Sequence, residues 1–492
     1  MTATETALAP RQQMRTAAVV VVISVATFLA SLDLFIVNLA LPEIQDGFPG
    51  HDLAAASWIL NAYTIIFAAF LNPAGRFGDR YGHRKVFLFG LAVFTVASAA
   101  CGLAPSLEAL VAARAIQAAG AAMLMPTSLA LLLAAVSEAH RATAVSTWAA
   151  IGASAAALGP PVGGALVDLS WRWVFYINLP IAIIALAVGP WILNRTPQSG
   201  SGTPDLVGAA LLTVGVGAIV GALITLPTNG WKHPAVWVPL AVAVFALALT
   251  VLRSRRHHHP ALDLAALAVG PLWTSCVALL MFTAAFGAML LGNVLFLTDV
   301  WHLPPQIAGL GLAPGPAAAV LISLTVASRL IRRFGVGPVA AVGSLSFATG
   351  AISWLWLAGP DPDYIHTFFP GQMFTGAGVG LVIPSLSAVV AVSLPQHRWG
   401  AGSALVNTAR QIGIALGTAI TILLCQPTID LTAIRHGWIF LAASATTAAV
   451  TAAAAAAYWR DYTTQTRRFT LRAARPSRRA TVDGQTASPH IE

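Results

Sequence analysis

Residues 75–85 read Gly75-Arg76-Phe77-Gly78-Asp79-Arg80-Tyr81-Gly82-His83-Arg84-Lys85. This basic, glycine-punctuated turn sits between two apolar runs, 55–73 and 85–103. Each run is close to the roughly 20 residues that cross a bilayer as helix. Hydrocarbon offers no partner for free backbone groups, so apolar runs of this length read as helices. The glycines permit a tight reversal and close helix approach. A weaker copy of the turn, Arg329-x-x-x-Arg333-Phe334-Gly335, follows Arg76-x-x-x-Arg80-Tyr81-Gly82 at an offset of 253.

Working outward, the pattern recurs along the chain. The predicted spans are 17–41, 55–73, 85–103, 107–134, 143–166, 172–193, 205–226, 235–252, 271–297, 306–328, 337–357, 367–391, 400–424 and 436–458. The span 306–328 holds Pro314 and Pro316, which membrane helices tolerate when neighbours satisfy the freed carbonyls. Composition agrees. Of 492 residues, 57% are hydrophobic and only 9% charged. A soluble domain carries about 25% charged residues, so this chain has too few to cover a water-facing surface, and it is too apolar to be disordered.

Cationic residues flank membrane helices mainly on the cytoplasmic side. With the N-terminus placed inside, 22 of the 27 Lys and Arg fall in inside segments. Only Arg172, Lys232 and Arg435 fall outside, and Arg114 and Arg410 lie within spans. One miscounted span would destroy that alternation, so fourteen helices with both termini cytoplasmic are expected. The net charge of +9 then reflects topology and attraction to anionic lipid, with no nucleic-acid partner. The first span is too long for a removable signal peptide and reads as an anchor. Cys101, Cys276 and Cys425 lie inside spans and read as small packing residues, not a disulfide framework. His257, His258 and His259 read as an interfacial loop, with no metal site.

A second repeat supports two related halves. Gly120 opens G-A-A-M-L-M-P-T-S-L and Gly378 opens G-V-G-L-V-I-P-S-L-S, pairing Pro126 with Pro384 at an offset of 258. His140-Arg141 pairs with His397-Arg398 at 257. Setting aside 205–252 leaves a repeat of the length of six helices. The expected organisation is a cytoplasmic tail 1–16, a six-helix bundle 17–193, two inserted helices 205–252, a second bundle 271–458 and a basic tail 459–492. Parallel halves of this kind are a transporter plan, in which two bundles rock about a site between them.

The turn at 75–85 strongly resembles the loop signature of the major facilitator superfamily. The resemblance implies a cytoplasmic gate at Gly75, Asp79, Arg80, Gly82 and Arg84, with Asp79 capping a helix or pairing with an arginine of the other half. His83 stands where that family often has Arg or Lys. The segment Leu32-Asp33-Leu34-Phe35-Ile36-Val37-Asn38-Leu39-Ala40-Leu41-Pro42 resembles the first-helix motif of fourteen-helix drug:proton antiporters, with Phe35 in place of a small hydroxyl residue. Trp171-Arg172-Trp173-Val174-Phe175-Tyr176-Ile177-Asn178-Leu179-Pro180 and Asn407-x-x-Arg410-Gln411-x-Gly413 resemble two further signatures of that family. Gly152, Gly159, Pro160, Gly163 and Gly164 resemble the antiporter motif of exporters. Gly152, Gly159 and Gly163 share one bare helix face that lets another helix pack closely. The resemblance covers about residues 15–460 and implies a tight seal that biases the carrier toward export.

Asp33 is the one carboxylate well inside a span. An intramembrane acid costs at least ~2.5–3.5 kcal/mol and points to function. Counting from the predicted helix ends at ~1.5 Å per residue, Asp33 lies about 12 Å deep and Arg114 about 10 Å deep. The superfamily fold would make their helices neighbours. Burial penalises a charged carboxylate and a nearby arginine favours it, so small movements would load and release a proton at Asp33. Gln117 would assist. The alternative is a fixed structural ion pair. Arg410, about 15 Å into its span, would meet an anionic substrate group or Asp33, or else be satisfied by helix carbonyls. Asn38, Asn61, Tyr63, Trp148, Asn293, Asn407 and Gln411 complete the candidate substrate cavity.

No G-x-x-x-x-G-K-[ST] loop is present, so the chain carries no ATPase of its own. No cofactor beyond protons as coupling ion is expected. The sequence therefore predicts a multi-pass bacterial plasma-membrane antiporter that exports lipophilic small molecules such as drugs or antibiotics, and the resemblance implies a monomer. A dedicated metabolite exporter and a symporter of an organic anion remain alternatives. A membrane enzyme would need a polar cluster that the spans lack.

Overall fold

Helices form where the chain is apolar for some 20 residues, and several end at a glycine or a capping side chain. The structure, a computed structural model, describes residues 3–136, 151, 154–155, 158–194, 203–258, 260–394, 399–426 and 428–473. Of 3–16, 391, 399–401 and 457–473 it describes the backbone alone. Trp148, Gly152, His140-Arg141 and His397-Arg398 lie outside the described residues.

The first half comprises α1 (Ala3–Asp46), α2 (Leu53–Tyr81), α3 (His83–Gly102), α4 (Leu107–Ala135), α5 (Leu158–Val167) and α6 (Trp173–Ile192). Then come α7 (Leu206–Asn229) and α8 (Pro234–Ser254). The second half comprises α9 (Gly270–Val300), α10 (Pro305–Phe334), α11 (Val336–Leu357), α12 (Tyr364–Val390), α13 (Trp399–Cys425) and α14 (Leu431–Ala473). Among the described residues thirteen of these are long and apolar enough to cross a membrane. The remaining one, α5, is described only over the last part of its predicted span 143–166. No strand occurs among the described residues.

Local chemistry explains the ends. Asp52 accepts from Ala55 N to cap α2, and Ser106 accepts from Ala109 N to cap α4. Each satisfies a backbone donor that the helix cannot. α1 runs five residues past its predicted end at 41, and both α1 and α14 continue as helix into the segments expected to be tails. α10 is helical over Pro305–Leu312 and Pro314–Ile322, widens into a π turn at Ser323–Ala327 and recovers over Ser328–Phe334. Pro314 and Pro316 lack the N–H that a regular helix needs.

The two halves repeat in detail. Gly82 and Gly335 close the equivalent turns at φ +92° and +86°, where a side chain would be strained. That is why both copies of the motif end on glycine. Inside each half, two helices cross with their backbones almost touching. A Cβ on Gly120 would lie 2.6 Å from Phe94 N and 2.8 Å from Gly90 O. A Cβ on Gly378 would lie 2.6 Å from Gly343 O and 2.9 Å from Phe347 N. Small residues let helices approach where lipid gives no hydrophobic drive for association. Gly120→Val and Gly378→Val should therefore each lower the melting temperature and yield of the purified carrier, since backbone cannot yield as a side chain can. Gly437, with nothing within 4 Å of an added Cβ, is the control: Gly437→Val should leave both unchanged.

The halves meet along α2 with α13 and α5 with α10. Thr408 Oγ1 donates to Ala68 O at 3.1 Å across the first seam. α7 packs against both α2 and α13 and so covers that seam from one side. α8 packs on α7 and turns Val238, Val244 and Phe245 outward, at 60%, 71% and 67% exposure. Apolar side chains that exposed need a hydrocarbon surrounding.

Candidate functional site

The buried polar centre of the first half is built from five helices. Asp33 on α1 and Arg114 on α4 are both fully buried. Arg114 Nη1 donates to Asp33 Oδ2 in a very short contact. Gln117, one turn along α4, donates from Nε2 to Asp33 Oδ1 at 2.9 Å and accepts from Arg114 Nη1 at 2.7 Å. Asn178 at the start of α6 donates to Asp33 Oδ1 at 3.2 Å and to Ser98 Oγ at 3.0 Å. Ser98 on α3 donates its hydroxyl hydrogen bond to Phe175 O at 3.0 Å. Arg114 Nε donates to Ile59 O at 3.3 Å on α2, and its guanidinium lies 4.1 Å over the Tyr63 ring.

The carboxylate thus accepts from three donors, and the guanidinium has carbonyl, amide and π partners besides the acid. If Asp33 gained a proton, Arg114 would keep Gln117 Oε1, Ile59 O and Tyr63. A buried pair with that fallback can lose its acid's charge without stranding the arginine. Arg114 Nη2 has no partner among the described residues, which leaves a donor open to a shifted partner.

The structure brings Asp33, Arg114 and Gln117 together. Because α1 extends to Asp46, Asp33 is about 20 Å from that end at ~1.5 Å per residue. It sits near the middle of the apolar part of α1, Ala17–Asp46, deeper than the sequence estimate. Tyr63 joins this cluster through the guanidinium and donates to Ala30 O at 3.4 Å. Asn178, Ser98 and Cys101, whose Sγ lies 3.6 Å from Gln117 Oε1, were not singled out as site residues from the sequence. Asn178 stood within the quoted segment opening α6, and a polar residue entering an apolar span was the available signal. A serine in an apolar helix gives none.

The other candidates spread out. Asn38 Nδ2 donates back to Leu34 O at 2.7 Å, and Asn407 Nδ2 to Ser403 O at 2.9 Å, each within its own helix. Asn293 accepts from Trp438 Nε1 at 3.3 Å beside the aromatic cluster of Phe296, Trp301, Trp354, Phe368 and Trp438. That cluster is packed core, so Asn293 lies in a wall and not at an opening. Asn61 is fully buried with neither side-chain atom bonded, and Gln411 Oε1 also lacks a partner among the described residues. Arg410 is half-buried and makes no hydrogen bond or ion pair among them. It meets neither Asp33, which Arg114 holds, nor helix carbonyls.

At the turn, Asp79 neither caps α3 nor meets an arginine of the other half among the described residues. The α3 N-cap is Gly82, without a side-chain bond, and Asp79 Oδ1 lies 3.5 Å from His83 Nε2. The histidine that replaces a basic family residue has taken the acid locally. Arg84 donates to Pro190 O, pinning α3 to α6. Gly75 and Gly78 face Pro126 and Thr127 of α4.

The glycines of α5 face two ways. A Cβ on Gly159 would lie 2.6 Å from Phe35 Cβ, and one on Gly163 3.0 Å from Ile36 Cγ1, both on α1. A Cβ on Gly164 would lie 2.6 Å from Pro305 O, and a Cβ on Gly309 would lie 2.3 Å from Pro160 O. Asp168 accepts from Gln306 at the same level. Phe35 meets Phe286 of α9 edge-on at 6.4 Å. Together these contacts shut the halves against each other at one end.

Two helical halves with matched turns, closed at one end and holding a buried acid–arginine pair, define a membrane carrier. The profile of the Major Facilitator Superfamily matches residues 23–418 and again 275–480, and the chain belongs to that superfamily. It is 34% identical over 403 residues to the multidrug resistance protein Stp of Mycobacterium tuberculosis, covering 80% of this chain and 73% of that one. To the methylenomycin A resistance protein of Bacillus subtilis it is 32% identical over 406 residues, covering 82% and 86%. To the tetracenomycin C resistance and export protein of Streptomyces glaucescens it is 32% identical over 404 residues, covering 81% and 74%. Among solved structures, a peptide transporter POT in complex with sulfate superposes with a TM-score of 0.67 at 16% identity, covering 89% of this chain and 94% of that one. The nucleoside transporter NupG gives 0.62 at 13%, covering 89% and 99%. These two likenesses concern the fold alone. The protein is a multi-pass transport protein of the bacterial plasma membrane.

Proposed function

We propose that this protein exports lipophilic small molecules, drugs or antibiotics among them, in exchange for protons. One observation carries the reading: a carboxylate inside an apolar helix, Asp33, fully buried against Arg114 with Gln117 and Asn178 as further donors. Asp33 holds the coupling proton, and Arg114 and Gln117 set when it is released. The bundles 17–193 and 271–458 rock about a cavity between them, with the inserted helices of 205–252 moving along the α2–α13 seam. The relatives named for resistance to several drugs, to methylenomycin A and to tetracenomycin C support the cargo class. The carrier works as a monomer with protons as its only coupling ion.

Arg410 favours a narrower second reading. A guanidinium inside a span with no partner among the described residues suits a cargo that bears an anionic or strongly accepting group. That fits a dedicated metabolite exporter, or a symporter of an organic anion.

Everted vesicles separate these. Export by antiport predicts that an acid-inside gradient drives cargo into the vesicles and that adding cargo dissipates the gradient. Symport predicts proton entry together with cargo in right-side-out vesicles. Cargo flux that ignores a collapsed proton gradient in both preparations ends the proton-coupled reading.

A further inference from the structure

The hairpin of α7 and α8 holds a cleft at the end where Arg253, Arg255 and Arg256 cluster. Its volume is about 470 Å³. Val207 and Leu211 of α7 and Leu249 and Leu252 of α8 form its walls. Val207 and Leu252 are 53% and 51% exposed, so the cleft opens sideways onto an exposed apolar surface. Arg253, Arg256 and His257 form one end of the lining. The site is therefore apolar along its length and cationic at one end, the pattern of a lipid chain and an anionic headgroup.

The charge does not cancel locally. One acid at this end, Asp205, caps α7 by accepting from Gly208 N at 2.8 Å, and a second, Asp263, caps the turn that follows by accepting from Ala266 N at 2.9 Å. Arg253 Nε spans the hairpin to Asp205 Oδ1 at 2.6 Å, and this pair ties the two helices together. Arg255 and Arg256 make no ion pair among the described residues and are exposed. Of these two charges Arg256 lines the groove, and Arg255 is its neighbour in the chain. A free anion would gain from the charges but not from the walls. A neutral lipid would gain from the walls but not from the charges.

We propose that this cleft seats one anionic phospholipid of the leaflet that the arginine distribution marks as cytoplasmic. Its acyl chain lies between α7 and α8 and its phosphodiester meets Arg256 and Arg255. Basic pockets between membrane helices at that leaflet suit such headgroups. Because α7 also packs on α2 and α13, the lipid would steady the element that covers the seam between the halves.

The test is native mass spectrometry of the full-length carrier with phosphatidylglycerol, phosphatidylcholine or glycerol 3-phosphate added singly. The wild type should retain one phosphatidylglycerol in preference to phosphatidylcholine and should not retain glycerol 3-phosphate. Each cationic residue near an anionic surface is worth about 1 kcal/mol, about fivefold in binding. The double variant Arg255→Gln/Arg256→Gln should therefore bind that lipid about 25-fold more weakly. Leu211→Trp, which fills the groove and leaves every charge in place, should also lose it. The basic C-terminal tail is untouched in both variants, so retention that survives either one assigns the lipid to the tail and overturns the proposal. Equal retention of phosphatidylcholine, or binding of glycerol 3-phosphate alone, overturns it too.

Discussion

Asp33→Asn should leave the carrier folded and able to exchange cargo downhill, yet unable to concentrate it. The reason lies in what Arg114 retains. Asparagine still offers an acceptor at the same place, and Gln117 Oε1 at 2.7 Å and Ile59 O at 3.3 Å remain. Outright removal of one partner of a buried pair costs about 3–5 kcal/mol; the amide avoids most of that. What the amide cannot do is take up and release a proton. Moving one charge through 100 mV is worth about 2.3 kcal/mol, which sustains about a 50-fold concentration ratio. In everted vesicles the wild type should approach such a ratio and the variant should fall to unity. Counterflow of labelled cargo should persist in the variant. If counterflow and abundance fail together, the pair is a structural strut and the coupling site lies elsewhere. If uphill export continues unchanged, Asp33 is not the coupling acid.

The second large effect is expected at Gly164→Val. The added Cβ would meet Pro305 O at 2.6 Å and Gln306 Cα at 2.9 Å. Both are backbone of α10, on the other half, so relief comes only by moving the helices apart. Overpacking of this kind costs about 1–3 kcal/mol. Charged to the state in which this end is shut, it shifts the balance of closed and open carriers about 5- to 150-fold. With a reporter cysteine introduced at this end, a thiol-reactive probe should label the variant faster, and export should fall by a similar factor. Gly217→Val is the control, because nothing lies within 4 Å of a Cβ there and neither readout should move. A variant with normal export and normal labelling would show that the α5–α10 contact does not gate the cycle.

The antiporter-like glycines illustrate how far the sequence carries. A bare face on α5 was legible from the spacing of Gly159 and Gly163, and the structure has α1 in contact with it. That Gly164, the very next residue, faces the other half was not legible. Neighbouring positions on a helix point about 100° apart, and only the assembled bundle says what stands in each direction. The gate motif shows the same limit. Its turn glycine is required by a positive φ that both copies share. The partner of Asp79 depended on a histidine four residues on, which packs beside Gly78 and takes the acid locally.

Element type was open to reading because the solvent leaves so little choice. An apolar run of this length, surrounded by hydrocarbon, must satisfy its own backbone and so becomes a helix, and the arginines mark its ends. Asp33 and Arg114 stood out for the same reason: a charge inside such a run is expensive, and the few that survive are conspicuous. Their companions were not conspicuous. Ser98 and Asn178 are ordinary side chains on α3 and α6, and they became part of the site only when helix rotation and crossing brought them within 3.2 Å of Asp33 or of each other. Hydrogen bonds are directional and short, so which polar groups meet is decided by packing at the scale of an ångström, and that scale exists only in the folded bundle.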